Sequence, residues 1–119
     1  MNISELFSRI VKDQPIAYHP DFAKAIGSVG AALLLSLLLE EHSGKWVCKT
    51  QKEIFDETGL TRREQETARR KLRILGILEE TYQGIPRKLY FKVNLEKLYR
   101  LLVNFYKKSV QEEQNASSN

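Results

Sequence analysis

Residues 50–76 read TQKEIFDETGLTRREQETARRKLRILG, a segment that contains two helix starts separated by a turn. Thr50 and, eleven residues later, Thr61 are each followed at the third position by a glutamate. This spacing is the capping box, in which the two residues satisfy each other's backbone amides at the start of a helix. Gly59 suits the left-handed position that ends the first helix. The segment therefore predicts a helix-turn-helix.

The segments on either side of the helix-turn-helix predict a winged helix. Residues 77–82 and 88–93 are strand-like and enclose the turn sequence QGIPR of residues 83–87, which is typical of a β-hairpin. Residues 45–49 predict a short third strand. The apolar helix predicted over residues 28–41 is rich in Ala and Leu on all faces, so we expect it at the centre of the core.

The predicted fold is α+β and mainly helical, a winged helix with additional N- and C-terminal helices. Asn2 and Glu5 form a further capping box at the start of the first helix. The predicted organisation is an N-terminal helix over residues 1–14, the winged helix over 15–94, a C-terminal helix over 95–110 and a disordered polar tail over 111–119.

Composition argues against an enzyme. The chain has 119 residues, enough for one domain, of which 42% are hydrophobic and 29% charged. The single cysteine, Cys48, excludes an internal disulfide and is predicted to be a buried thiol. Glu79 and Glu80 are adjacent carboxylates without a histidine, lysine or metal partner nearby in the sequence. We expect no catalytic residues, metal or cofactor, and the lack of a secretion signal or membrane span predicts a cytoplasmic protein.

Positive charge is concentrated in the predicted winged helix. The chain has 19 basic and 15 acidic side chains, a net charge of +4. Residues 45–92 contain twelve basic and seven acidic side chains, or +5, whereas residues 1–44 carry −2 and residues 93–119 carry +1. A positive field on one module favours a polyanionic partner. A solvated helix face with glutamate–arginine pairs gives the same count and remains the alternative.

The second helix of the helix-turn-helix carries most of this charge. Its buried stripe is predicted to consist of Gln65, Ala68, Leu72 and Leu75. In helix-turn-helix docking the N-terminal half of the second helix meets base edges, and the start of the first helix meets phosphates. The predicted base-facing residues are Arg62, Arg63, Glu66 and Thr67, and the predicted phosphate contacts are Thr50, Gln51, Lys52, Arg69, Arg70 and Arg73.

The tip of the predicted hairpin is also basic. Arg87 and Lys88 lie there beside Gly84 and Pro86, and we expect this wing to contact the adjacent groove or backbone of double-stranded DNA. Solubilising charges are equally common at the end of a hairpin, so that interpretation stays open.

The terminal helices are apolar over more of their circumference than one core contact requires, which predicts a homodimer. The predicted interface residues are Leu6, Ile10, Leu98, Leu102 and Phe105. Tyr99, Val103, Tyr106 and Val110 repeat on a neighbouring face. Packing of the two helices on each other within one chain is the alternative. A two-fold dimer presents two recognition helices and favours palindromic half-sites.

Five stretches carry a resemblance to a known family: KTQKEI at 49–54, TGLTRREQETARRKL at 58–72, LGILE at 75–79, GIPRKLYF at 84–91 and NLEKL at 94–98. They resemble the winged-helix domain of phage and plasmid replication proteins, among them phage replisome organisers and the N-terminal domain of DnaD-type primosomal proteins. The resemblance covers residues 18–102.

The resemblance implies a winged helix that binds double-stranded DNA in replication initiation or transcriptional regulation, with replication proteins as partners. Many bacterial and viral transcription regulators share the same pattern. DnaD-type proteins carry a second helical domain for helicase loading and DNA remodelling, which this chain lacks, so we expect a stand-alone DNA binder of a mobile element or an excised domain. The second hypothesis is a protein–protein interaction scaffold whose basic helix is only solvated.

Overall fold

The computed structural model describes residues 2–12, 18–42 and 44–117. The helices are α1 (Ile3–Lys12), α2 (Pro20–Ile26), α3 (Val29–His42), α4 (Gln51–Thr58), α5 (Arg62–Ile74) and α6 (Leu95–Ser117), and the strands are β1 (Val47–Cys48), β2 (Leu78–Gln83) and β3 (Lys88–Val93). The protein is therefore α+β and mainly helical, as the sequence predicts.

The strands form one antiparallel sheet in the order β1-β3-β2. β2 and β3 pair along their whole length, from Leu78 opposite Val93 to Gln83 opposite Lys88. β1 adds a short edge in which Val47 lies opposite Phe91. The predicted hairpin and third strand are both present, although β1 is limited to two residues.

The core is built around α3, which is apolar on every face. Leu34, Leu35 and Leu38 are fully buried, as expected for a helix that is hydrophobic all round. α3 packs against α2, α4 and α5. On α5 the predicted stripe is confirmed for Gln65, Ala68 and Leu72, which are buried, whereas Leu75 is partly buried against the same core.

Both helices of the central pair begin at the predicted capping boxes. The Glu53 N–H donates to Thr50 Oγ1 (3.1 Å) and the Thr50 N–H to Glu53 Oε1 (3.2 Å). Thr61 and Glu64 repeat this pattern at 3.3 and 3.1 Å. Hydrogen bonds from the threonine backbone and hydroxyl lower the pKa of each glutamate. Gly59, between the helices, has a φ of +77°, the left-handed conformation that favours glycine.

α6 is longer than the sequence analysis predicted. It continues to Ser117 instead of ending near Val110. The residues beyond Val110 begin with Gln and Glu, which have good intrinsic helix propensity, so the helix extends although the side chains of residues 111–115 are exposed. The tail expected to be disordered is therefore helical through residue 117, and residues 118–119 lie outside the described residues.

The burial of Cys48 and Lys49, at the end of β1, also differs from what the sequence predicted. Lys49 is buried and Cys48 is half-exposed, so Cys48 is not the buried thiol that we expected. The Lys49 ammonium is compensated by Glu57 on α4, whose two carboxylate oxygens each lie 3.0 Å from Lys49 Nζ. Val47 and Lys49 share the inward side of the strand, which turns Cys48 away from the core.

α1 begins with the predicted capping box, in which the Glu5 N–H donates to Asn2 Oδ1 (2.8 Å). The last two residues of the helix predicted over 1–14 lie outside the described residues. Among the described residues, α1 makes no extended contact with another helix or strand, whereas α6 packs on α2. No helix in the described ranges combines the length and apolar character needed to cross a lipid bilayer.

Candidate nucleic-acid interface

The outward face of α5 lies opposite the side that packs on α3. Because Gln65, Ala68 and Leu72 are buried, the helical phase places the opposite side of α5 in solvent. All four predicted base-facing residues are exposed on that side, together with two further basic residues: Arg62, Arg63, Glu66, Thr67, Arg70 and Lys71. The result is a positively charged helix surface that the core does not use.

Two local contacts hold side chains on this outward face. Arg62 Nε lies 3.5 Å from Glu66 Oε1, and 76% of the Arg62 side chain is exposed. The Thr67 hydroxyl donates to the backbone carbonyl of Arg63 at 3.0 Å. An exposed ion pair of this spacing is worth about 0.3–0.5 kcal/mol, so Arg62 can leave Glu66 for another anion at little cost.

The start of α4 presents fewer phosphate contacts than predicted. Thr50 bonds reciprocally to Glu53, and the carboxylate of Glu53 lies at the helix N-terminus, where the sequence analysis placed a phosphate. Gln51 and Lys52 have exposed side chains, and the Gln51 carbonyl accepts a hydrogen bond from Gln65. Gln51 and Lys52 therefore remain candidates for phosphate contact, and Thr50 is a capping residue.

Arg69 points to the sheet and not to solvent, which corrects its prediction as a phosphate contact. Its Nε and Nη2 atoms donate to Glu80 Oε1 and Oε2 at 2.8 and 2.9 Å. Its guanidinium also lies 5.7 Å from the centre of the Phe91 ring. Arg69 lies next to the buried stripe of α5, because it directly follows Ala68, and this helical phase directs it against β2.

Arg73 bonds to the same carboxylate, with Nη1 2.9 Å from Glu80 Oε2. The side chains of Glu80, Arg69 and Arg73 are 11%, 13% and 44% exposed. Burial raises the pKa of Glu80, but the hydrogen bonds and charges of the two arginines outweigh it and hold the pKa below its ordinary value. The hydrogen bond to Glu80 raises the pKa of Arg69 in turn. We call these three residues the Glu80 cluster.

Sequence reasoning missed Glu80, which it treated as one of two carboxylates without a partner. The alternation of side chains between the two faces of a strand could have indicated that Glu80 faces inward. Leu78 and Glu80 lie two residues apart on β2 and share a face, and Leu78 is buried. Glu79 faces the other way and is exposed. A carboxylate on the inward face of a strand that follows an arginine-rich helix needs a cation, and α5 supplies it.

The hairpin tip is exposed and basic, as expected. The Arg87 guanidinium lies 4.7 Å from the centre of the Tyr82 ring, in the geometry of a cation–π contact. Lys88 is exposed at the start of β3, and Ile85 is fully exposed at the tip itself. The stacking on Tyr82 orders Arg87 without consuming its hydrogen-bond donors, which remain available for a ligand.

A hollow of about 260 Å³ lies between the start of α4, α5 and the hairpin. Ile54, Leu89 and Phe91 supply apolar parts of its wall, and Arg87 and Lys88 border it. The α5 residues in its wall are Gln65 and Arg69, so the hairpin tip lies beside the side of α5 that carries these two residues.

No protein-family model, curated protein or solved structure matches this chain. In the part of the chain that the structure describes, no group of three His, Cys, Asp or Glu side chains is placed to hold a metal ion.

Two of the residues predicted for a dimer interface are used by the chain's own core. Leu98 is 5% exposed and belongs to the chain's own core, and Leu102 packs against that core. Phe105 is half-buried beside Tyr106, Leu6 is exposed on α1, and the side chain of Ile10 lies outside what the structure describes.

The inward side of α6 faces α2 within the same chain. The Tyr106 hydroxyl donates to Asp21 on α2, and this hydrogen bond raises the pKa of Tyr106. The other exposed apolar residues of α6 are Leu95, Tyr99 and Val110.

Proposed function

We propose that this chain is a non-enzymatic, cytoplasmic winged-helix protein of mobile-element type that binds double-stranded DNA and acts in replication initiation or transcriptional regulation. The proposal rests chiefly on the outward face of α5. Besides Arg73, which bonds to Glu80, four basic side chains are exposed on this one helix of 13 residues: Arg62, Arg63, Arg70 and Lys71. A helix with such a face fits the major groove of B-DNA in width and in charge.

The surroundings of α5 support the same function. The element order α3-β1-α4-α5-β2-β3, with its three-stranded sheet, is that expected of a winged helix. Arg87 and Lys88 border the same hollow as Gln65 and Arg69 of α5, and we propose that a duplex lying on α5 extends to this basic hairpin tip. This arrangement favours a long, rigid polyanion over a small acidic ligand.

The proposed contacts follow from the chemistry of each side chain. Arg62 and Arg63 can donate two hydrogen bonds to a guanine edge, Glu66 can accept from cytosine, and Thr67 can contact either base type. Phosphate contacts are assigned to the exposed polar and basic residues around them: Gln51, Lys52, Arg70, Arg87 and Lys88.

The test is the salt dependence of duplex binding, measured by fluorescence anisotropy with a labelled random-sequence duplex. The logarithm of the association constant is expected to fall against the logarithm of salt concentration by about 0.9 for each neutralised phosphate. A slope near zero, or no binding at about 50 mM salt, would reject DNA binding and favour the scaffold.

The chain offers a matched control for this test. Arg100 on α6 pairs with Glu96 at 2.7 Å, four residues away, as Arg62 pairs with Glu66, and its side chain is 71% exposed. Arg62→Ala and Arg100→Ala remove the same charge and the same kind of ion pair. Only Arg62→Ala is expected to weaken DNA binding, and equal effects of the two substitutions contradict a binding surface on α5.

Homodimerisation is proposed through the outer side of α6 together with α1. Tyr99 and Val110 are exposed on α6, and Ile3 and Leu6 are exposed on α1. Leu98, one of the residues that the sequence predicted for the interface, belongs to the chain's own core, so we place the partner surface on the exposed side of α6. Sedimentation velocity tests the dimer, and a 13.8 kDa species that persists up to high micromolar concentration rejects it.

The same exposed apolar residues favour a second function, a protein-interaction scaffold without direct DNA binding. In that case the basic face of α5 is a solvated surface. The salt titration separates the two functions, because a scaffold has no salt-dependent affinity for a duplex.

A further inference from the structure

The Glu80 cluster joins the hairpin to α5 through side-chain hydrogen bonds. Glu80 lies in the middle of β2, and the hairpin tip begins directly after Gln83. The carboxylate accepts hydrogen bonds from Arg69 and Arg73, which lie one helical turn apart on α5. The direction in which the hairpin leaves α5 is therefore fixed by these bonds as well as by the sheet.

The cluster also removes positive charge from the exposed surface. The Arg69 guanidinium is enclosed between the Glu80 carboxylate and the Phe91 ring, and Arg73 directs Nη1 to the same carboxylate. Without Glu80, both arginines would be released within a side chain's length of the outward face of α5. Their long side chains could then reach a phosphate backbone lying on that face.

We infer that Glu80 is a positioning residue for DNA binding, which holds the hairpin at a fixed angle to α5 and withholds Arg69 and Arg73 from the phosphates. The inference rests on the proposed function and deepens it. Glu80 then increases sequence discrimination at the expense of sequence-independent affinity, because phosphate contacts add affinity for every sequence alike.

The experiment compares Glu80→Gln with Glu79→Gln. Both substitutions remove one negative charge from β2, but Glu79 is exposed on the other face of the strand. The first measurement is the salt dependence of binding to a random-sequence duplex. The second is the specificity ratio, which is the affinity for a duplex selected from a random pool divided by the affinity for the random-sequence duplex. For Glu80→Gln we expect a steeper salt slope, equivalent to about one to two additional neutralised phosphates. We also expect the ratio of the affinity for the selected duplex to that for the random duplex to fall about tenfold. For Glu79→Gln we expect both values to stay those of the wild type.

A second pair of variants tests the cluster with Glu80 in place. Arg73→Gln removes an arginine held by Glu80, and Arg70→Gln removes an exposed arginine of the same helix. We expect Arg70→Gln to make the salt slope shallower by about 0.9, and Arg73→Gln to leave it unchanged. In the Glu80→Gln background, Arg73→Gln is expected to reduce the slope, because Arg73 is then released. Circular dichroism checks that each variant is folded.

The outcomes separate this inference from the proposed function. A wild-type protein without salt-dependent duplex binding overturns the function itself. If the wild type binds with a steep slope, equal values for Glu80→Gln and Glu79→Gln overturn the inference alone. A loss of slope in Arg73→Gln with Glu80 present also overturns it, because Arg73 then contacts phosphate despite its bond to Glu80.

Discussion

The side-chain amide of Gln65 lies 2.8 Å from the backbone carbonyl oxygen of Leu60 and donates a hydrogen bond to it in the protein interior. The same nitrogen donates to the carbonyl of Gln51 at 3.0 Å. One buried amide on α5 thus bonds both to the turn before it and to the first residue of α4. The angle between the two helices depends on a polar group at a position where an apolar residue would be expected.

Replacement of Gln65 by Leu is predicted to destabilise the fold by about 1–3 kcal/mol, because the buried carbonyl of Leu60 and the partly buried carbonyl of Gln51 lose this donor. Urea unfolding measures the difference. Gln111→Leu on the exposed end of α6 is the matched control and should be nearly neutral. Equal stability of the two variants would show that the carbonyls find other donors.

Ala68→Leu is predicted to destabilise the protein by about 1–3 kcal/mol, because Ala68 is buried where α5 packs on α3 and added methylene groups force the helices apart. Thermal unfolding followed by circular dichroism is the measurement. Lys71→Leu places the same side chain on the exposed side of α5 and should leave the melting temperature close to that of the wild type. A normal melting temperature for Ala68→Leu contradicts the close packing of these helices.

Arg63→Ala is predicted to cost about 1–3 kcal/mol of binding to the preferred duplex and to relax the preference at one base position, since Arg63 is exposed in the first turn of α5. Selection of bound sequences from a random pool, repeated with the variant, reports the preference. Arg100→Ala controls for the lost charge. An unchanged preference excludes Arg63 from base readout.

Arg70→Ala is predicted to weaken binding to all sequences alike and to make the salt slope shallower by about one, as expected for a phosphate contact. The measurement is the salt titration with both the selected and the random duplex. A loss of affinity restricted to the selected duplex would show that Arg70 contacts a base and not a phosphate.

The Glu80 cluster is predicted to make folding stability sensitive to acid. The arginines hold the pKa of Glu80 below its ordinary value of 4.5, so its contribution is complete above that pH and is lost as the pH falls through the lower pKa of the folded protein. The difference in unfolding free energy between wild type and Glu80→Gln should therefore be largest at neutral pH and shrink in acid. A difference that does not change with pH would mean that Glu80 is not ionised in the cluster.

What the sequence predicted correctly depends on neighbours along the chain. The capping boxes at Thr50 and Thr61 involve residues three positions apart, and the left-handed Gly59 is a property of one residue. The buried stripe through Ala68 follows from helical period. Such local rules also located the exposed residues of α5.

What the sequence did not predict requires knowledge of distant neighbours. Arg69 and Glu80 meet only because β2 turns back along α5, and no local pattern contains that angle. On α6 the apolar residues extend around more than one side, so periodicity alone did not reveal that Leu98 faces the chain's own core. Lys49 is buried because Glu57 reaches it from α4, which again is a contact between separate elements.

The side chains that build α5 and those on its outward face are separate sets. Thr61, Gln65 and Leu72 cap, orient and bury the helix, whereas the side chains of Arg63 and Arg70 are exposed. Substitutions on the outward face should change stability by no more than about 0.5 kcal/mol. If α5 binds DNA as proposed, descendants of this protein can therefore diverge in what α5 recognises while they keep the same architecture, and a new specificity can be engineered on α5 without redesigning the fold.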